Sequence, residues 1–309
     1  STTQLAAMST NQLAAINNKD LAGLSNDKIN ALSAEQFNAF TAAQVKTLTV
    51  DQVGHLDDEI IQGLGSEEIE AFTAAQLKAL TITQMGKFSA EQIAMFSTAS
   101  DNNQIASLSA AQIGALSGDQ VAGFTDTQIG KFSAAQVAGL TATQAPSLTT
   151  AQVGAMTDKQ IAAITNAAFA KLSTDVIAGL STTIKDGEKL SQVQALTAGQ
   201  IAELDEGQIQ ALTAGEDGQI AAFAPKQIAA FSSTQLNKMS TEQIGSITAA
   251  QIALMTFTGE TGQINNLSAD LVAGLSAAQV TALSDKQVAS LSTTQLAAMS
   301  TNQLAAINN

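Results

Sequence analysis

Hydrophobic and polar positions recur along this chain with a period of eight residues. In Ser133–Leu140, S-A-A-Q-V-A-G-L, a hydroxyl residue stands at place one, Gln at place four, an aliphatic residue at place five and Leu at place eight. Thr141 starts the same order again. Divided in this way, the sequence gives 37 octads, with Asn308 and Asn309 left over. A short fixed period predicts a repeat architecture in which each unit packs mainly on its neighbours.

The first half of each octad predicts the start of a short α-helix. Ser and Thr are preferred N-caps, and a Gln three residues later closes a capping box by bonding the backbone N–H of the cap. The residue at place eight is expected to staple onto the fourth helical residue of the next octad, such as Val153 or Ile161. Small residues at places six and seven should let helices approach closely, as at Gly114, Gly123, Gly130 and Gly139.

Two other backbone conformations compete with this interpretation. One continuous helix is disfavoured, because at roughly 100° per residue the apolar pair would rotate by about 80° with each octad. A β-solenoid remains the alternative, although strands need apolar residues at alternate places and the spacing here alternates between three and five. Pro225 follows a cap position, whereas Pro146 lies at the fifth helical place and should distort its octad. We predict an all-α solenoid, or superhelix, of very short helices, one per octad.

We expect residues 1–309 to form a single continuous solenoid of such octads. The irregular region is 165–196, through which the register survives because Gln192, Val193 and Leu196 return on schedule. Three insertions are predicted to form surface loops, near residues 97–108, 213–223 and 256–267.

The two ends of the sequence repeat each other. Residues 1–18 and 292–309 are identical, at an offset of 291 residues. We interpret this as one period of a higher-order repeat plus an overlap. On that hypothesis the longer parent has Lys at position 310, matching Lys19.

The amino-acid composition disfavours several classes of function. The chain has no Cys, Trp, Tyr or Arg, one His, 13% charged residues and a net charge of −14. Such acidity disfavours nucleic-acid partners and anionic membranes. No apolar run reaches about 18 residues, so we expect no membrane insertion. With a single His and no Arg, we expect no enzyme.

Few residues are candidates for metal chemistry. His55 precedes Asp57 and two further acids, but a solvated His on a polar face explains that cluster better than a metal site. Acidic residues in the insertions and the irregular region have the ligand type for calcium without its spacing. These calcium candidates are Asp101, Asp186, Glu188, Glu216, Asp217 and Glu260. No catalytic residue and no other cofactor is predicted.

Tandem octads of the form S/T-x-x-Q-I/V-x-x-L/F, as in Thr125–Phe132 and Ser276–Leu283, resemble repeats of very large bacterial surface or secreted proteins that are adhesin-like. The resemblance implies an extracellular, cell-surface and fibre-like or adhesive context. We therefore expect a structural spacer or filament subunit that associates with itself or with tandem copies. The alternative is an adhesin segment that binds a glycan or a surface protein through its loops or groove.

Overall fold

A computed structural model describes residues 1–307, and all regular structure in that range is helical, with no strand. The described residues form 34 α-helices of four to seven residues and one 3₁₀ helix. These short helices pack on one another as a repeat array, so the predicted all-α solenoid is confirmed. The β-solenoid alternative is wrong. By contact the chain divides into two compact units, Ser1–Ala155 and Met156–Asn309. The single continuous solenoid stays a prediction.

The first unit contains α1 to α18, named in chain order. They span Thr2–Ala6, Thr10–Ala14, Asn18–Ala22, Asn26–Ile29, Ala34–Phe37, Ala42–Thr47, Val50–Gly54, Asp58–Gly63, Ser66–Ala71, Ala74–Ala79, Ile82–Met85, Ala90–Ala94, Gln104–Ser107, Ala110–Gly114, Gly118–Gly123, Asp126–Gly130, Ala134–Val137 and Thr150–Ala155.

The second unit contains α19 to α34. They span Asp158–Ala163, Asn166–Phe169, Thr174–Ala178, Gln192–Ala195, Ala198–Ala202, Glu206–Ala211, Gln219–Ala222, Pro225–Ile228, Ser233–Leu236, Thr241–Gly245, Ala249–Ile252, Ala269–Ala273, Ala277–Thr281, Asp285–Ala289, Thr293–Ala298 and Thr301–Ile307.

Capping boxes start most of these helices, as predicted. Ser133 has extended φ and ψ of −72° and 159°, and its Oγ accepts from the N–H of Gln136 at 3.2 Å. In return, the Ser133 N–H donates to Oε1 of Gln136 at 2.8 Å. Pro225 is the first residue of α26, where no N–H is needed. Pro146 converts its octad to a 3₁₀ turn, Ala145–Ser147, which confirms the expected distortion.

The core is built from places five and eight. In Ser133–Leu140, for example, Val137 is fully buried and Leu140 is 2% exposed. Where Phe occupies place eight in successive octads, the two rings meet edge to face, as for Phe124 and Phe132 with centroids 5.1 Å apart. A helix of four to seven residues is unstable alone, so this shared core is what holds each octad in its helical form.

Small residues bring octads of successive turns together. Within the first unit α12 packs against α15 and α14 against α17, and within the second α21 packs against α24. A Cβ added to Gly123 or Gly139 would lie 2.6 Å from a carbonyl oxygen, that of Ala90 or Ala110. No side chain fits there, which confirms the expectation for the small residues at places six and seven.

The structure differs from the sequence-based division in the irregular region. Ser181 donates its N–H to Oε1 of Gln192, and its carbonyl accepts from Val193, so one cap pairs with a Gln eleven residues later. Residues 181–196 therefore form one extended unit and not two octads in register. The units with insertions near 97–108, 213–223 and 256–267 also pair a cap with a more distant Gln, six or seven residues later. Their added residues lie in turns, bends and irregular backbone; a helix follows in the first two units, whereas 256–267 contains turns only.

Among residues 1–307 no helix has both the length and the apolar composition needed to cross a membrane.

Candidate functional site

The most specific structural feature is what Gln at place four does with its second polar group. Gln136 uses Oε1 in its own capping box, and its Nε2 donates to the carbonyls of Ile105 and Leu108 at 2.7 and 2.9 Å. Those carbonyls occupy places five and eight of the octad four units earlier. We call this arrangement the glutamine clamp: one amide joins the start of one helix to the end of a helix in the preceding turn.

The glutamine clamp recurs through both compact units. Gln44 donates to Leu13 and Ile16, and Gln303 donates to Val272 and Leu275, at sequence separations of 31 and 28 residues in each case. Helices pack three octads apart while clamps reach four octads back, so each unit winds with between three and four octads per turn. The clamping amides lie inside, with Gln136, for example, only 3% exposed.

Insertions leave the clamp intact. Gln104 follows the four added residues of 97–108, and it still bonds places five and eight four units earlier, at Ile69 and Phe72. Its separations rise from 31 and 28 residues to 35 and 32. Gln219 bonds Ile177 and Leu180 in the same way. The added residues are therefore accommodated outside the helical lattice.

At two octads whose place four lacks Gln, an Asn of the preceding turn makes the bond between turns instead. The octad starting at Asp57 has Ile60 at place four, and there Asn30 donates to the carbonyl of His55 at 2.7 Å and accepts from the N–H of Asp57 at 3.2 Å. In the second unit, Asn237 similarly donates to the carbonyl of Asn266 and accepts from the N–H of Ser268, both at 2.8 Å.

Glu68 is the one carboxyl group at a buried clamp position in the described chain. It is 4% exposed, and burial is the main cause that raises its pKa, with the neighbouring Glu67 charge adding to the effect. Hydrogen bonds from its own N–H and from Gly65 act in the opposite direction. Asn38 donates to the carbonyl of Gly63 at 2.7 Å, while its buried Oδ1 has no hydrogen-bond partner. The octad that contains Glu68 therefore has fewer hydrogen bonds to the preceding turn than the neighbouring octads have.

Sequence reasoning predicted the capping role of Gln and missed the clamp. The sequence does contain a signal for the clamp, because a capping box alone is closed by Glu as well as by Gln. The preference for Gln over Glu at place four shows that the N–H donors are also needed. Nothing in the sequence indicated the contacts of Asn30 and Asn237, because their partners depend on how many octads make one turn.

The calcium candidates do not converge. Among residues 1–307 no three His, Cys, Asp or Glu side chains form a group suited to hold a metal ion. Asp101, Asp186 and Glu260 are exposed in loops, as are Glu216 and Asp217. Glu188 is half-buried and accepts from the N–H of Asp158 at 3.3 Å, which anchors its loop.

Turn geometry accounts for the glycines beside those acids. Gly187, Gly215 and Gly259 have φ of 81°, 98° and 68°, and no other residue among 1–307 has a positive φ. Only Gly adopts such angles without strain. Each of the three lies next to an acidic candidate, so the Gly-acid pairs form tight turns in the irregular region and in two of the insertions.

His55 lies on the surface at the end of α7, with its side chain 59% exposed. Its Nδ1 is 2.7 Å from the carbonyl oxygen of Asp51 and 3.4 Å from the carboxylate of the same residue. The ring thus contacts Asp51 near the start of its own short helix, and it lies in no group of metal-ligating side chains within the described residues.

The fold and the clamp define an all-α octad-repeat protein. A model of the ALTTAQ repeat family matches residues 13–50 and 219–256, one stretch in each compact unit. Ala31–Gln36, A-L-S-A-E-Q, lies in the first stretch and runs from the end of one octad through the capping box of the next. The chain is therefore similar to the ALTTAQ repeats over these two stretches. No curated protein matches the chain.

Proposed function

We propose that this chain is a non-catalytic structural repeat protein of the bacterial cell surface, a spacer or filament subunit outside the cell. The glutamine clamp is the observation that carries this proposal. Its acceptors are main-chain carbonyls, which every residue possesses, so octads are joined without a unique side-chain partner. Such a device is suited to building length, because any octad with a cap, a Gln and two apolar residues can be added to the array.

Energetics favour an array over isolated octads. A clamp adds two hydrogen bonds between turns, each contributing about 0.5–1.5 kcal/mol net. Repeats coupled in this way gain stability from each added neighbour. A spacer must stay folded along its length, and this coupling provides that property.

The spacer proposal is tested by removing one octad. Deleting Ser133–Leu140 places Gln144 where Gln136 was, facing Ile105 and Leu108, so the clamps re-form. We expect unchanged helix content per residue and a single unfolding transition. The matched control deletes only residues 133–136, which removes a cap and its Gln, and it should lose helix locally. Equal damage from both deletions would contradict the interchangeability of octads.

The extracellular location is tested on intact producing cells. Antibodies raised against the purified chain should label the cell surface before lysis. Labelling that appears only after lysis would contradict the proposed location.

The adhesin alternative is favoured by one local feature. A cleft of about 470 Å³ lies beside the loop near 97–108 in the first unit, lined among others by Lys46, Glu70, Asp101 and Thr125. A polar cleft of this kind has the donors and acceptors that glycan hydroxyls need. Saturable binding in a glycan array, lost in Asp101→Ala and retained in Glu216→Ala, would favour the adhesin over the spacer.

A further inference from the structure

Octad 65–72 carries a carboxyl group at place four, where most octads carry the amide of the glutamine clamp. Glu68 is buried as deeply as those amides, at 4% exposed against 3% for Gln136. A carboxylate can only accept hydrogen bonds, so the ionised side chain cannot form the clamp. A protonated carboxyl group has one oxygen that accepts and one O–H that donates, which is the arrangement of a Gln amide with one donor fewer.

The register of neighbouring clamps identifies the carbonyls opposite Glu68. Gln52 and Gln76 each donate to places five and eight of an earlier octad, at separations of 31 and 28 residues. The same separations from Glu68 lead to Phe37 and Phe40. The Phe37 carbonyl accepts from the N–H of Phe40 at 3.0 Å, whereas within residues 1–307 no hydrogen bond reaches the Phe40 carbonyl. Phe40 is 3% exposed, so this carbonyl is buried without a partner.

Asn38 leaves a second acceptor of the same octad without a donor. Its buried Oδ1 has no hydrogen-bond partner, whereas Asn30, at the equivalent place, accepts from the N–H of a cap in the next turn. For Asn38 the matching cap is Gly65, whose N–H bonds the Glu68 carboxyl group instead. The preceding turn therefore has two buried acceptors that lack a donor, and a proton on Glu68 would supply one.

Gly65 makes room for the carboxyl group beside the start of its own helix. A Cβ added to Gly65 would lie 2.9 Å from Oε2 of Glu68 and 3.9 Å from Nδ2 of Asn38, so the two side chains lie around one point. A Ser or Thr cap would fill that space with its own side chain. The missing side chain thus allows the carboxyl group to lie next to the preceding turn.

Burial and one like charge act on Glu68. Burial is the main cause that raises its pKa, and the charge of Glu67 on the same helix adds to it. Helix α6, which packs against α9, carries Lys46, and α5 of the preceding turn carries Glu35, but both side chains are exposed. Within the described chain no buried cation holds Glu68 in its ionised form.

We propose that Glu68 is an acid-closed clamp: its protonated carboxyl group donates to the Phe40 carbonyl and joins octad 65–72 to octad 33–40, and its ionised form leaves this contact open. The proton comes from solvent. At neutral pH the Asn38 bond and apolar packing alone hold the two octads together, so they separate more readily than octads joined by a full clamp. This inference goes beyond the spacer function, because it makes the contact between two turns depend on pH.

Hydrogen exchange in the full chain measures the opening of octad 65–72. At pH 7 the opening constant should be at least about fivefold smaller in Glu68→Gln than in the wild type, because about 1 kcal/mol, the lower cost of an unpaired buried carbonyl, corresponds to that factor. Gln supplies the donors at every pH, so the difference should shrink as pH falls through the titration of Glu68. The matched control is Glu70→Gln, which changes an exposed carboxyl group of the same helix and should open as the wild type does.

Carbonyl ¹³C shifts identify the acceptor. In a chain labelled at Phe carbonyls and Glu carboxyl groups, Glu68 should titrate above the ordinary value near 4.5, and the Phe40 carbonyl shift should follow the same midpoint. Glu67→Gln should lower that midpoint because it removes the like charge, and Glu68→Gln should abolish the Phe40 titration.

Two results would overturn the acid-closed clamp. One is a Phe40 carbonyl shift that does not change as Glu68 titrates. The other is an opening constant at pH 7 that is equal in Glu68→Gln and the wild type. Neither result affects the spacer proposal, which is judged by the octad deletion and the surface labelling.

Discussion

Replacing Gln136 by Glu separates the two roles of the clamp. The introduced carboxylate would still accept from the N–H of Ser133 and so preserve the capping box, but it has no N–H to donate to Ile105 and Leu108. The carbonyl of Ile105 keeps a second bond from the N–H of Leu108, whereas the buried carbonyl of Leu108 accepts, within the described chain, only from the amide of Gln136. The substitution therefore isolates the contact between turns.

The expected cost follows from these two carbonyls. Losing a bond to a carbonyl that keeps another partner costs about 0.5–1.5 kcal/mol, and leaving a buried carbonyl without a partner costs about 1–3 kcal/mol. Together these give a decrease of about 1.5–4.5 kcal/mol in the free energy of unfolding. A carboxylate facing two carbonyls adds to that cost, so the decrease should shrink at acidic pH, where the protonated group can donate.

Urea unfolding followed by circular dichroism measures the decrease, and hydrogen exchange shows whether the octads around 105 and 136 open first. The matched control is Gln4→Glu, because its amide faces no carbonyl in the described chain and should cost below about 0.5 kcal/mol. A Gln136→Glu variant as stable as Gln4→Glu would refute the clamp as a stabilising contact.

Three further substitutions, two of them paired with a control, test other parts of the structure by the same urea assay. Gly123→Ala should destabilise by about 1–3 kcal/mol, because the added methyl meets a carbonyl, whereas Gly154→Ala meets no atom within 4 Å and should stabilise by about 0.5–1 kcal/mol. The pKa of Glu68 is raised in the folded chain, so its contribution to stability is complete below the ordinary value near 4.5 and is lost as pH rises through the folded value. Glu68→Gln should therefore remove that pH dependence and be more stable than the wild type at neutral pH; a pH profile equal to the wild type would contradict this. Asn30→Ala should cost about 1–3 kcal/mol, because it leaves the cap N–H of the next turn without its acceptor, while the exposed Asn11→Ala serves as the control.

The octads alone were enough to predict the local structure. Ser133 and Gln136 indicated the helix start, Val137 and Leu140 indicated the core, and Pro146 indicated the distorted octad. These features depend on residues within eight positions of each other, and the physics of capping and periodicity acts over that range.

Contacts between turns depend on information that a single octad does not contain. The pairing of Gln136 with Ile105 requires the number of octads per turn, which is set by how closely the small residues let helices approach. The pairing of Asn30 with Asp57 requires the same number and also the absence of Gln from a distant octad. The pairing of Ser181 with Gln192 was missed because the eight residues added to this unit equal one octad in length and so preserve the register.

Exchange of glutamine side-chain amide protons tests the clamp most directly. In a chain labelled with ¹⁵N only at Gln, the Nε2 protons of interior residues such as Gln136 should exchange slowly with solvent, while those of the exposed Gln4 and Gln12 should exchange rapidly. Uniformly rapid exchange at all glutamines would contradict the clamp, because amides bonded to buried carbonyls are protected from water.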